Sequence, residues 1–151
     1  MTIRKVRDYT VRNVVTVRRA TPVKDIAKLF LEHNIDFLPV VDKDNHLLGV
    51  ITKKDILAPF LPDYFDLLDD IDFISDFGFL ESSLTETLEL LLVADDVMIR
   101  KVVTIEEEAS LLKAVALIHQ HKVRHLPVVR DNQLVGVISR TDLIRALFDK
   151  A

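Results

Sequence analysis

Two short stretches of this 151-residue chain carry residue types able to hold a polar ligand. Thr52-Lys53-Lys54-Asp55 and Ser139-Arg140-Thr141-Asp142 share the form Ser/Thr-x-x-Asp. At a helix start this spacing makes a capping box, in which the hydroxyl receives a backbone N–H and the acid three residues on returns the bond. The same carboxylate offers two acceptor oxygens, enough for both hydroxyls of a ribose. The unpaired N–H groups of a first helical turn also favour a phosphate. Capping and ligand binding are compatible, and the motif alone does not choose between them.

The elements that position these turns recur. Val14–Leu57 repeats as Val102–Ile144, at an offset of about 88 residues that drops to about 87 after a one-residue loop deletion. Val14-Val15-Thr16-Val17 matches Val102-Val103-Thr104-Ile105, and Leu38-Pro39-Val40-Val41 matches Leu126-Pro127-Val128-Val129. Gly49-Val50-Ile51 precedes the first turn as Gly136-Val137-Ile138 precedes the second. Each copy predicts a β-branched strand (Val14–Val17 in the first), then a helix N-capped by Thr21 with Pro22 at its first position. Val23, Ile26, Ala27 and Phe30 form one apolar helix face, as do Leu111, Ala114, Val115 and Ile118. Two strands joined by a polar hairpin (Asp42–His46 in the first copy) and a last helix complete a β-α-β-β-α unit. A unit of about 50 residues rarely sustains a core alone, so the two are expected to pack as one pseudo-two-fold α+β module.

Apolar-Pro-Val-Val, a short polar loop, then Gly-Val-Ile-Thr/Ser-x-x-Asp-apolar resembles the CBS domain, and two copies resemble the tandem CBS pair. The resemblance covers residues 8–60 and 94–149, leaving 61–93 as an insert. It implies a regulatory module that binds an adenosine-containing ligand (AMP, ADP or ATP, with S-adenosylmethionine a further candidate), requires no cofactor and controls a partner protein. It also implies a homodimer formed through helices, here the apolar segments Ile56-Leu57, Leu143-Ile144 and Ala146-Leu147-Phe148. The alternative is a ligand-free dimerisation module. In the family the Asp holds the ribose beside the Thr or Ser hydroxyl, and the adenine slot comes from the opposite repeat. One site then joins Thr52, Lys53 and Asp55 to Val103, Val123, Arg124 and His125; the other joins Ser139, Thr141 and Asp142 to Thr10, Val15, Ile35 and Asp36. Arg124-His125 is similar to a basic pair that contacts phosphate in the gamma subunit of AMP-activated protein kinase. The first repeat has Asp36-Phe37 there, where an acid repels phosphate. The Asp55 site is therefore expected to be the better nucleotide site.

Between the repeats, Asp55 to Ile99 contains no Lys, Arg or His and about 12 acids, leaving the rest of the chain near +8. A basic body around an acidic block argues against general nucleic-acid binding. The insert interleaves Phe60, Tyr64, Phe65, Phe73, Phe77 and Phe79 with Asp63, Asp66, Asp69, Asp70, Asp72 and Asp76, and Leu84, Leu88, Leu91 and Leu92 suggest an amphipathic helix. Its readings are a helical cover, a partner surface and a divalent-metal site, though its spacing matches no EF-hand loop. His119, His121 and His125 lack the further ligands of a zinc pattern. Three glycines and no phosphate loop, with no nucleophile–base pair, argue against an enzyme. No cysteine, no apolar leader and no run near ~20 apolar residues fit a cytoplasmic protein without a membrane span.

Overall fold

A computed structural model describes residues 4–61 and 91–149. The readings made for residues 62–90 of the insert lie outside the described residues. The fold is mixed α+β, with each repeat's elements in the same order. In the first repeat these are α1 (Val23–His33), β1 (Phe37–Val41), β2 (Leu47–Thr52) and α2 (Lys53–Leu57). A short helix α3 (Ala94–Val97) leads into the second repeat, which contains β3 (Ile105–Glu106), α4 (Leu111–His121), β4 (His125–Arg130), β5 (Gln133–Ser139) and α5 (Arg140–Phe148). β1 and β2 form a two-stranded sheet, and β3-β4-β5 a three-stranded one.

Two expectations shift. The strand expected at Val14–Val17 contracts to one parallel bridge, Val17 to Val40. Val17 donates to the Pro39 carbonyl at 3.0 Å, and Pro39 has no N–H with which to extend the ladder. In the second repeat Pro127 stands in the same place, and the ladder gains a pair in the opposite direction, Glu106↔Val129 after Ile105↔Val128. The N-cap of α1 is Pro22, not Thr21. Thr21 is used otherwise, its hydroxyl accepting the Arg18 N–H at 3.0 Å and its carbonyl accepting the Ala94 N–H at 2.8 Å. Ser110 stands where Pro22 does and caps α4 through its side chain, accepting the Lys113 N–H at 3.1 Å.

The hairpins differ by the deleted residue. Asp131 and Asn132 both have positive φ (52° and 65°), the backbone of a two-residue turn whose twist suits β4 and β5. The longer Asp42–His46 loop closes on Asp42, whose Oδ1 accepts the N–H groups of Asp44 and His46, each at 2.9 Å.

The chain divides into two compact units that cut across the repeats: Met1–Thr16, Val41–Gly49 and Arg100–Ala151 in the first, and Val17–Val40 and Val50–Ile99 in the second. The segment leading into each repeat thus belongs with the body of the other. In the first unit Val11 exchanges backbone bonds with Val137 (2.9 and 3.0 Å), and Val6 donates to Ala109. In the second unit Ile99 exchanges bonds with Val50 (2.8 and 3.0 Å), and Ala94 donates to Thr21. Val11 and Ile99 are equivalent under the 88-residue offset, so both leaders dock alike.

The first unit's core gathers Val6, Ile105, Leu111, Ala114, Ile118, Leu126, Val128, Ile138, Leu143 and Ala146. This is the inward face of α4 and α5 against β4 and β5, with the leader's Val6 sealing it. In the second unit Ile26, Phe30, Leu38, Val40, Val50, Ile51, Ala94 and Met98 are buried. Burying one such side chain contributes about 1.5–3 kcal/mol.

Candidate functional site

Both Ser/Thr-x-x-Asp turns sit where a strand becomes a helix. β2 ends at Thr52, the N-cap of α2, and β5 ends at Ser139, the N-cap of α5. Oδ2 of Asp55 accepts from the Thr52 N–H at 2.7 Å and from its hydroxyl at 2.8 Å. Oδ2 of Asp142 accepts the same pair from Ser139, both at 2.9 Å. The Asp142 N–H also donates to Ser139 Oγ at 3.2 Å. Local sequence thus fixes both carboxylates, with one oxygen spent on the turn.

The other oxygen distinguishes them. Oδ1 of Asp142 accepts from Arg145 Nη1 at 3.1 Å, one helical turn on. Among the described residues no group hydrogen-bonds to Oδ1 of Asp55. Ala58 occupies the place of Arg145 at the 87-residue offset. Asp142 is buried, whereas Asp55 is half-buried.

The structure places the remaining predicted residues as follows. Thr52, Lys53 and Asp55 lie in the second unit, with Ile35 and Asp36 just ahead of β1. Val103, Val123, Arg124 and His125 lie in the first unit, with Ser139, Thr141 and Asp142. His125 pairs across the β4–β5 ladder with Ser139, and the Arg124 carbonyl accepts the Arg140 N–H at 3.0 Å. Val103 and Val123 pack on the first unit's core. Val15 is half-buried in the same unit. Thr10 donates from its hydroxyl to Val6 O at 2.8 Å and lies over Gly136 on β5. A Cβ on Gly136 would stand 2.3 Å from Val11 O and 2.6 Å from Thr10 Cγ2, so this glycine lets the leader come close.

Two residues escaped the sequence reading. Met98 is the equivalent of Thr10 and is buried beside the Ile99–Val50 bridge. Applying the 88-residue offset to Thr10 finds it. Arg145 could have been found from the Asp-x-x-Arg spacing, which puts both side chains on one helix face. In the β1–β2 loop, Asp42, Asp44 and His46 bring one potential ligand atom each within 4.8 Å. The bonds of Asp42 account for that convergence, since Oδ2 faces His46 Nδ1 at 3.0 Å. The hydrogen bond from the His46 backbone, before all else, holds the Asp42 carboxyl below the ordinary carboxylate range.

Elsewhere in the first unit, α4 and α5 frame an open groove of about 480 Å³. Val115, Ile118, Leu143, Ile144, Leu147 and Phe148 form its apolar walls, with His119, Lys122 and Arg140 also lining it. Ile144 and Phe148 are 59% and 77% exposed, so the wall of α5 faces solvent. Among the described residues no helix is long and apolar enough to cross a membrane.

Comparison with known proteins agrees with this architecture. Protein MJ1426 of Methanocaldococcus jannaschii is 32% identical over 133 residues, covering 82% of this chain and 79% of that protein. The CBS domain of a CBS-domain-containing membrane protein from Sphaerobacter thermophilus superposes with a TM-score of 0.74 at 34% identity, covering 97% of this chain and 89% of that one. CBSX2 of Arabidopsis thaliana, solved in complex with AMP, gives a TM-score of 0.73 at 28% identity over 96% of both chains. The chain spans about two fifths of the length of the first curated relatives it matches. The CBS domain family model matches twice, at residues 6–61 and 93–149, and the chain belongs to the CBS domain family as a tandem pair.

Proposed function

We propose that this chain is a regulatory module that binds an adenosine-containing ligand and passes its presence to a partner protein. The observation that carries this reading is the recurrence of a carboxylate fixed at a helix start by its own Ser or Thr, once per repeat. Each acid is held in place before any ligand arrives, so binding costs little side-chain ordering. Asp55 and Asp142 take ribose hydroxyls, and Arg124 and His125 supply charge-assisted bonds to phosphate. Support comes from CBSX2, a relative similar over nearly its whole length, which was solved with AMP. The regulatory output follows if the ligand favours one arrangement of the module over another, because a partner that distinguishes them then feels the ligand as a coupling free energy.

A second copy of this chain is the proposed occupant of the α4–α5 groove. The apolar wall of Ile144, Leu147 and Phe148 lies in the helical segment for which the CBS resemblance implies dimerisation. One observation favours the ligand-free alternative. Helix capping alone accounts for both hydrogen bonds each Asp makes to its Ser or Thr.

Calorimetric titration of nucleotide-free protein with AMP, ADP, ATP, S-adenosylmethionine and cyclic di-AMP separates the two readings. Micromolar binding of one ligand is expected, weakened about tenfold or more by Asp55→Ala or Arg124→Ala in a folded variant. No binding across the panel would leave a dimerisation module as the better account.

A further inference from the structure

The ligand-binding reading of the Asp142 turn leaves one group unexplained, the guanidinium of Arg145. The Asp142 side chain is 10% exposed and the Arg145 side chain 59% exposed. The guanidinium therefore stands on the solvent side of a largely covered carboxylate. A carboxylate offers about four lone-pair sites. On Asp142, Ser139 takes two through Oδ2, and Arg145 takes one on Oδ1. One acceptor position is left, while two neighbouring hydroxyls of a ribose need two.

We propose that Arg145 is a built-in competitor for the Asp142 site, and that a nucleoside must displace its guanidinium to gain a two-hydroxyl grip. This rests on the reading of Asp142 as a ribose acceptor. Among the described residues the first repeat shows no such competitor, because Ala58 stands in the equivalent place and carries no side-chain donor. The two sites thus differ in affinity by design of the helix that follows each Asp. With its guanidinium in solvent this i,i+3 pair is a weak one, so the handicap is a graded one of roughly two- to fivefold. Its consequence is biased filling, with the Asp55 site the more occupied of the two at any sub-saturating ligand concentration.

The test uses the full chain carrying Asp55→Ala, so that the Asp142 site is read alone, with and without Arg145→Ala. Alanine is the best helix former, so the second change leaves α5 intact. The probes are AMP and neutral adenosine, titrated calorimetrically at low and high KCl. Removing Arg145 is expected to tighten adenosine two- to fivefold. Raising KCl is expected to tighten adenosine only while Arg145 is present, because salt screens the ion pair and leaves the neutral probe alone. Arg145→Met, which keeps the apolar stem, should behave as Arg145→Ala does.

Weaker AMP binding without Arg145 would mean that the guanidinium touches the ligand, and would overturn the proposal. Unchanged binding would overturn it equally. If Asp55→Ala removes all binding and Arg145→Ala restores none, the Asp142 turn is not a ligand site; the competitor falls while the function of the Asp55 site stands. Failure of the unsubstituted protein to bind either probe would instead take down the ligand-binding reading, and the competitor with it.

Discussion

Asp142 is gripped on both oxygens, by Ser139 on one and Arg145 on the other, whereas among the described residues the grip on Asp55 comes from Thr52 on a single oxygen. α5 is nine residues long and α2 only five, each counted from the residue after its Ser or Thr. The same four-residue motif is therefore set more firmly into the fold in the second repeat. The leaders differ as well, by reversal of charge. In the first unit Lys5 and Arg7 of the leader each meet Glu108 at 2.6 Å. In the second unit the residue equivalent to Arg7 is Asp95, which meets Arg19 at 3.5 Å. A basic leader faces Glu106-Glu107-Glu108, and an acidic one faces Arg18-Arg19. Each leader would meet like charge on the wrong body, so sequence duplication is kept from becoming structural ambiguity.

If the repeats are equivalent in their cores, equivalent substitutions should cost the same. Leu38 and Leu126 hold the same position and are both fully buried. Leu38→Ala and Leu126→Ala should each destabilise by about 3–4 kcal/mol. Urea unfolding of both variants checks this, and a gap beyond about 1.5 kcal/mol, within the spread of such sites, would mean that one core collapses around the cavity better than the other.

The docking of the first leader is tested next. At Gly136 a new Cβ would meet backbone, at 2.3 Å from Val11 O, so the leader must move and break its bonds to Val137. Gly136→Ala should cost about 2–3 kcal/mol in urea unfolding. A loss under about 0.5 kcal/mol, ordinary for surface changes, would show that this leader is not seated on β5 in solution.

At the turns themselves, stability and binding should rank in opposite orders. Asp142→Ala removes a buried acid, its cap and its partly exposed ion pair, and should cost about 2 kcal/mol. Asp55→Ala removes a half-buried cap at a shorter helix and should cost about 1 kcal/mol. In ligand titrations Asp55→Ala should be the more damaging change. If Asp142→Ala hurt both properties more, the difference between the turns would be one of folding alone.

The sequence made some of this visible. The repeat, the two hairpins and the two capping turns rest on contacts within a few residues, and local patterns reveal such contacts. Docking of each leader on the other repeat was hidden, because it depends on isolated bridges, Lys5 to Ser110 and Val11 to Val137 for the first leader and Val93 to Pro22 and Ile99 to Val50 for the second, each too brief to leave a periodicity. The Val14–Val17 strand was over-read because β-branched residues reveal strand propensity but not whether the neighbour, here Pro39, can donate. Thr21 was misplaced by one residue because its hydroxyl serves the Arg18 turn instead of the helix. Arg145 stays hidden because Asp-x-x-Arg spacing puts both side chains on one helix face but does not fix whether the long guanidinium stem turns back to the carboxylate or out to solvent.

The smallest effect concerns the charge reversal at the leaders and is read through pH. Glu108 is held below the ordinary carboxylate range, first by the hydrogen bond from Lys5 and then by the nearby charge of Arg7. A carboxyl whose folded pKa lies below its unfolded value binds fewer protons when folded. Its stabilisation is fully present above the unfolded pKa, near 4.3 for a glutamate, and is lost as pH falls through the lower folded value. Glu108→Gln should therefore lower the apparent Tm by roughly 1–3 °C at pH 7, the scale of a solvent-exposed ion pair. The difference from the unsubstituted protein should shrink below about pH 4 and vanish at lower pH, where Glu108 is itself neutral. Thermal unfolding of both proteins between pH 7 and pH 3 checks this. A constant difference across that range would mean that Glu108 acts through packing, and that charge does not hold the basic leader to its acidic partner.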